Sequence, residues 1–180
     1  MSRADNVFLV GPMGSGKSTI GRQVAELLQK QFRDCDHEIE AHTGAAISLI
    51  FEIEGEEGFR RRETNMLEEL TKETGVVLAT GGGAVLSEQN RELLRSRGIV
   101  VYLHAPIDIL LHRTQRDRNR PLLQNTDRRI KFEEIMAVRE PLYRATADVV
   151  INTSERSPVT VARDVIRKLQ ELNADDHVKA

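Results

Sequence analysis

The sequence predicts an α/β fold in which a parallel sheet is covered by helices on both faces. Short apolar runs alternate with longer amphipathic stretches along most of the chain, the rhythm of successive βα units. A glycine-rich loop of the spelling GxxxxGKS follows the first apolar run and opens the first helical pattern. With 180 residues, 39% of them hydrophobic, and neither a linker nor an internal repeat, the chain can bury one core and reads as a single domain over 1–180.

The elements follow in order. Val7–Val10 is the first strand, and Ile20, Val24, Leu27 and Leu28 carry the helical spacing of an element running from near Lys17 to about Lys30. Between Ile39 and Glu73 the pattern is mostly helical, with a break at EGEEG, residues 54–58. Val76–Thr80 is a strand that ends in Gly81, Gly82 and Gly83, and a helix is expected from there through Leu93. Ile99–Leu103 is a strand followed by the helical run Ile107–Leu111, and Phe132–Ala145 gives a long helix. Val149–Ile151 is the last strand; Pro158, well placed in a first helical turn, opens a helix to Leu172. The polar tail NADDHVKA is expected to fray.

The loop from Gly11 to Ser18 carries the strongest chemical signal. Its glycines let the backbone turn tightly and bring successive N–H groups close to an anion, while Lys17 reaches the outer phosphates and the Ser18 hydroxyl ligates Mg²⁺. The helix beginning near Lys17 points its positive end at the same place. Gly14, Ser15, Gly16, Lys17, Ser18 and Thr19 are therefore the expected nucleotide-binding residues. A solvated glycine-rich turn is the plain alternative, and the strand before and helix after argue against it. The glycines read GxxGxG rather than GxGxxG, which excludes a dinucleotide-binding loop and any role for Asp34 as a ribose-binding acid.

A phosphate-binding loop normally works with an acid that holds Mg²⁺. The strand VVLATGGG offers none, but FRDCDHEIE supplies Asp34 and Asp36 two positions apart. In an extended segment that spacing points both carboxylates to one face and Cys35 to the other, suiting metal and substrate together. The alternative is a pair of surface acids capping a helix that starts near His37. The triple glycine at a strand's carboxyl end lets a ligand approach the backbone. Arginines in GFRRRE and VREPLYR stand on helices, where a solvated face is the ordinary expectation, yet a pocket for a small carboxylate needs one or two guanidinium groups. Spacing does not choose among them. Arg113, Arg116, Arg118 and Arg120 crowd one short stretch, either a solvated loop or a basic lid that closes on a nucleotide.

Formal net charge is −2, from 26 basic and 28 acidic residues, which gives no general face for nucleic acid or anionic lipid. No apolar run approaches the roughly 18 residues of a membrane span. One cysteine excludes an intramolecular disulfide, and the start MSRADN lacks an apolar signal core, so a cytoplasmic chain is expected. The five histidines show no paired metal-ligand spacing, and no zinc site is expected.

Taken in order, GPMGSGKST, DCDHEIE, EEGFRRRE, ATGGG, RNRPLL, REPLY and ADVVI resemble the shikimate kinases over about the whole chain. The resemblance implies a P-loop kinase fold like that of nucleoside monophosphate kinases: a five-stranded parallel sheet flanked by helices, a substrate-binding subdomain at about 34–60 and a lid at about 112–124. It implies transfer of the ATP γ-phosphoryl group to the 3-hydroxyl of shikimate, on the way to chorismate and the aromatic amino acids, with Mg²⁺ as cofactor. By motif, Lys17, Asp36 and Arg120 are catalytic, and Ser18 and Asp34 hold the metal. Asp36, Arg60, Gly82 and Arg139 hold shikimate, the arginines on its carboxylate. Arg120 closes on the ATP phosphates, while Arg113 and Arg156 flank the nucleotide. ATP and shikimate are the expected partners, without nucleic acid or membrane, and the expected assembly is a monomer.

The nearest rival is another P-loop small-molecule kinase, such as a gluconate kinase, which shares loop and chemistry. Asp36, Arg60 and Arg139 favour a polyhydroxylated carboxylate of the shikimate type. A GTPase switch needs an NKxD motif, which is missing, and a non-catalytic nucleotide module has no need of a basic lid.

Overall fold

The computed structural model describes residues 5–114 and 128–178. Among them, five strands form one parallel sheet: β1 (Val7–Val10), β2 (Gln31–Asp34), β3 (Val76–Ala79), β4 (Ile99–His104) and β5 (Val149–Asn152), in the order β2-β3-β1-β4-β5. The helices are α1 (Lys17–Leu28), α2 (Cys35–Thr43), α3 (Ile47–Leu70), α4 (Glu88–Arg97), α5 (Ile107–Thr114), α6 (Arg128–Thr146) and α7 (Pro158–Val178). The expected α/β class and five-stranded sheet are found.

Every residue of β1 and β3 is buried, because helices cover both faces of the sheet. Phe8 and Val10 point into one core with residues of α2, α3, α4 and α6. Val7 and Leu9 point into the other with Ile20 and Val24 of α1 and Val161 and Val165 of α7. Each fully buried side chain of this size stabilises the fold by roughly 1.5–3 kcal/mol. Parallel register aligns the strands' carboxyl ends, with Leu9 opposite Ala79 and Val10 opposite Tyr102. Strand order reverses about β1, so the loop after it opens into a crevice between the ends of β3 and β4.

Local differences from expectation have local causes. The break at EGEEG lies at Gly55, whose φ of 69° and ψ of −177° interrupt α3. A second break, not expected, separates α2 from α3: Gly44 caps α2 at φ 68°, donating its N–H to the Glu40 carbonyl. The helix expected straight after β3 is instead a 3₁₀ turn, Ala84–Leu86, before α4, with the Ser87 hydroxyl capping α4 by accepting from Asn90 N–H. The expected fraying from residue 173 does not occur at once, since α7 continues to Val178. No helix among the described residues is long and apolar enough to cross a membrane.

Candidate active site

A cleft of about 240 Å³ opens at the carboxyl edge of the sheet, lined by Met13 to Thr19 except Ser15 on one side and by Asp34, Asp36, Thr80 and Gly82 on the other. The loop from Gly11 to Gly16 connects β1 to α1, and Gly16 caps α1 with a φ of 93° that side-chain-bearing residues rarely adopt. No acidic residue stands in the first turn of α1 itself, so the helix offers its positive end to an anion without a carboxylate of its own. The Lys17 ammonium curls back over the loop and donates to the carbonyls of Gly11 at 2.7 Å and Pro12 at 2.9 Å.

Asp34 closes β2 and is the N-cap of α2, its Oδ1 accepting from His37 N–H at 3.3 Å. Its Oδ2 accepts from the Ser18 hydroxyl. The extended segment expected through Asp36 is therefore corrected: the chain turns helical at Cys35, because a carboxylate cap satisfies an N–H that an extended chain would leave unpaired. Both acids still line the cleft, one from the cap and one from the first helical turn, while Cys35 is fully buried. Burial, and after it the charges of Glu63, Asp36 and Asp34, push the Cys35 thiol well above its usual range.

The triple glycine organises the other half. Gly83 has φ −93° and ψ 1°, an ordinary backbone conformation, so freedom of rotation is not why glycine stands there. Space is the reason. A Cβ on Gly83 would overlap the Arg60 guanidinium, and one on Gly81 would overlap Glu63 Oε1 and lie 3.1 Å from Asp36 Oδ1. A Cβ on Gly82 would lie 3.6 Å from Arg139 Nη1 and 3.5 Å from Met13 N. Asp36, Arg60 and Arg139, from three separate helices, are thus brought together around the glycine turn, whose Gly82 abuts the phosphate-binding loop.

Two residues complete this arrangement that the sequence pattern does not single out. Glu63, whose side chain is fully buried, accepts from Arg60 Nη1 at 2.8 Å. Burial raises its carboxyl, opposed by the neighbouring Arg60 charge. Tyr143 is fully buried, stacks on Tyr102 with ring centroids 5.1 Å apart, and donates its hydroxyl to the Gly82 carbonyl. Their helical offsets are the available signal: Glu63 follows Arg60 by three positions and Tyr143 follows Arg139 by four.

Arg113, on α5, reaches the phosphate-binding loop: its guanidinium donates to the Gly14 carbonyl at 3.2 Å and the Thr153 carbonyl at 2.8 Å. Arg156 stands after β5 on the same edge, paired with Asp164 at 2.7 Å. Arg120, and most of the expected lid at about 112–124, lie outside the described residues.

A family model described as shikimate kinase matches residues 13–170. The chain belongs to the shikimate kinase family. It is accordingly an ATP-dependent phosphotransferase that acts on an alcohol group. A shikimate kinase of Thioalkalivibrio sulfidiphilus is 54% identical over 175 residues, covering 97% of this chain and 92% of the relative. A solved shikimate kinase of Acinetobacter baumannii, in complex with shikimate, is 50% identical with a TM-score of 0.91, covering 93% of this chain and 94% of that one. A gluconokinase from Sinorhizobium meliloti shares the fold alone, at 14% identity and a TM-score of 0.61, with 100% of this chain and 99% of that one covered.

Proposed function

We propose that the chain transfers the γ-phosphoryl group of ATP to the 3-hydroxyl of shikimate within this cleft. One observation carries the residue assignment: Asp36, Arg60 and Arg139 converge on the triple glycine, and Gly82 of that turn abuts the phosphate-binding loop. A carboxylate, two guanidinium groups and a close backbone complement a polyhydroxylated ring bearing one carboxylate. The substrate-binding subdomain, about 34–60, and β3's glycine turn form the acceptor side.

In this reading the N–H groups of the loop from Gly14 to Thr19 cradle the ATP phosphates. Lys17 exchanges the Gly11 and Pro12 carbonyls for outer phosphate oxygens, so its charge meets the transferring group. Arg60 and Arg139 grip the shikimate carboxylate, which fixes the ring and aims the 3-hydroxyl. Asp36 orients that hydroxyl and takes its proton as the new O–P bond forms and the bond to the β-phosphate oxygen breaks. Arg113 flanks the nucleotide base, with Arg156 beside it, and Arg120 closes on the phosphates with the lid.

The residues present fit Mg²⁺. The Ser18 hydroxyl and Asp34 carboxylate are hard oxygen donors in mutual contact at the foot of the phosphate-binding loop. When bound there with ATP, the ion neutralises charge on the β- and γ-phosphates.

The test is ADP release with MgATP and a panel of shikimate, gluconate and nucleoside monophosphates. Rapid release with shikimate alone is expected. Equal or greater turnover on gluconate overturns the assignment.

A further inference from the structure

We propose that Tyr143 is a positioning residue for the acceptor side of the cleft, its hydroxyl holding the Gly82 carbonyl in place beside the Arg139 guanidinium. The proposal rests on the functional reading above, in which Gly82 and Arg139 hold the substrate.

Arg139 and Tyr143 stand four residues apart on α6 and therefore on one face of it. Both are buried, at 6% and 0% exposure, in a fold where arginine is normally solvated. The phenol has one proton to give and gives it to the Gly82 carbonyl, with the Arg139 guanidinium as a neighbouring positive charge. Stacking on Tyr102, with 24° between ring planes, fixes the ring that carries this hydroxyl. The Gly82 Cα in turn sits against the phosphate-binding loop, where an added Cβ would lie 3.6 Å from the Gly11 carbonyl oxygen. One hydroxyl thereby holds the turn that faces the phosphates beside the carboxylate-gripping arginine. Burial lifts the phenol to about 12, so it remains a donor at any working pH. Tyr102 supplies the internal comparison. Its hydroxyl is also buried, in the same stacked pair, but makes no hydrogen bond among the described residues.

The experiment compares Tyr143→Phe with Tyr102→Phe, each of which deletes one buried hydroxyl and keeps its ring. Tyr143→Phe is expected to raise KM for shikimate about tenfold and leave KM for ATP within twofold. Tyr102→Phe is expected to leave both within twofold. In an Arg139→Lys background the Tyr143→Phe effect on shikimate KM should shrink, because the guanidinium beside the held carbonyl is gone. A second measurement does not depend on the variants folding. The chain has only two tyrosines, so uniform 3-fluorotyrosine labelling gives two ¹⁹F resonances, and shikimate added without nucleotide should shift the Tyr143 signal more than the Tyr102 signal. An unchanged shikimate KM in Tyr143→Phe, an equal rise in both variants, or a Tyr143 resonance that stays put at saturating shikimate overturns the proposal. A wild-type chain without shikimate-dependent turnover overturns instead the functional reading beneath it.

Discussion

The Ser18 hydroxyl donates to Asp34 Oδ2, while the other oxygen of the same carboxylate accepts the His37 N–H and caps α2. One side chain thus faces the phosphate-binding loop and anchors the helix that carries Asp36. A substitution that removes the carboxylate altogether would confuse the two tasks.

Asp34→Asn separates them, because asparagine caps a helix about as well as aspartate yet carries no charge for a metal. Stability should change by no more than about 0.5 kcal/mol, while the Mg²⁺ concentration needed for half-maximal ADP release rises several-fold. Shikimate affinity without nucleotide should be largely intact. Asp36→Asn should do the reverse, weakening shikimate binding about tenfold or more and lowering kcat, since it removes a charged acceptor for substrate hydroxyls. Calorimetric titration of both variants decides the matter. Loss of shikimate binding in Asp34→Asn with retention in Asp36→Asn would reverse the assignment.

A second prediction concerns pH. Glu63 is fully buried beside Arg60, and burial outweighs that positive charge, so its carboxyl is raised above its ordinary 4.5. The folded chain then holds the Glu63 proton more tightly than the unfolded chain does. Its contribution to stability is fully present below the ordinary carboxylate range and is lost as pH rises through the raised folded value, each tenfold difference in proton affinity being worth about 1.4 kcal/mol. Glutamine cannot titrate. Urea unfolding of wild type and Glu63→Gln between pH 4 and 7 should show the wild type losing ground to the variant as pH rises; a difference independent of pH would contradict it.

These residues also mark what the sequence reveals. β1, β3 and β4 up to Leu103 are unbroken runs buried on both faces, and their pattern is legible without tertiary information. β2 is an edge strand of partly exposed Gln31, Phe32, Arg33 and Asp34, with no run or alternation to announce its place in the sheet. The phosphate-binding loop is legible because each residue type is required by local chemistry. Arg60 is not separable from Arg61 and Arg62 by spacing alone: Arg60 meets buried Glu63, whereas Arg62 pairs with Glu54 at 2.6 Å, across the break at Gly55. The triple glycine is readable as a place of close approach. That the protein's own Arg60, Glu63 and Arg139 make the approach depends on helices α3 and α6 folding over one turn.

The last prediction uses that turn. Alanine at Gly83 meets little backbone penalty, since φ −93° and ψ 1° match a type I turn position that most residues can adopt. Its methyl would overlap the Arg60 guanidinium and force it from Glu63, which now accepts from it at 2.8 Å. Gly75 offers the opposite case: a φ of 72° strains any side chain, yet nothing lies within 4 Å of an added Cβ. Gly83→Ala should therefore raise KM for shikimate about tenfold or more, and also lower the thermal midpoint, because buried Glu63 loses its paired guanidinium. Gly75→Ala should lower the midpoint by about 2–4 °C, the effect of roughly 1 kcal/mol in a chain of this size, and leave KM alone. Steady-state kinetics and thermal unfolding of the two variants test the contrast. Normal shikimate kinetics in Gly83→Ala would show that Arg60 has room to bind substrate from a displaced position, and that the glycine turn does not set its placement.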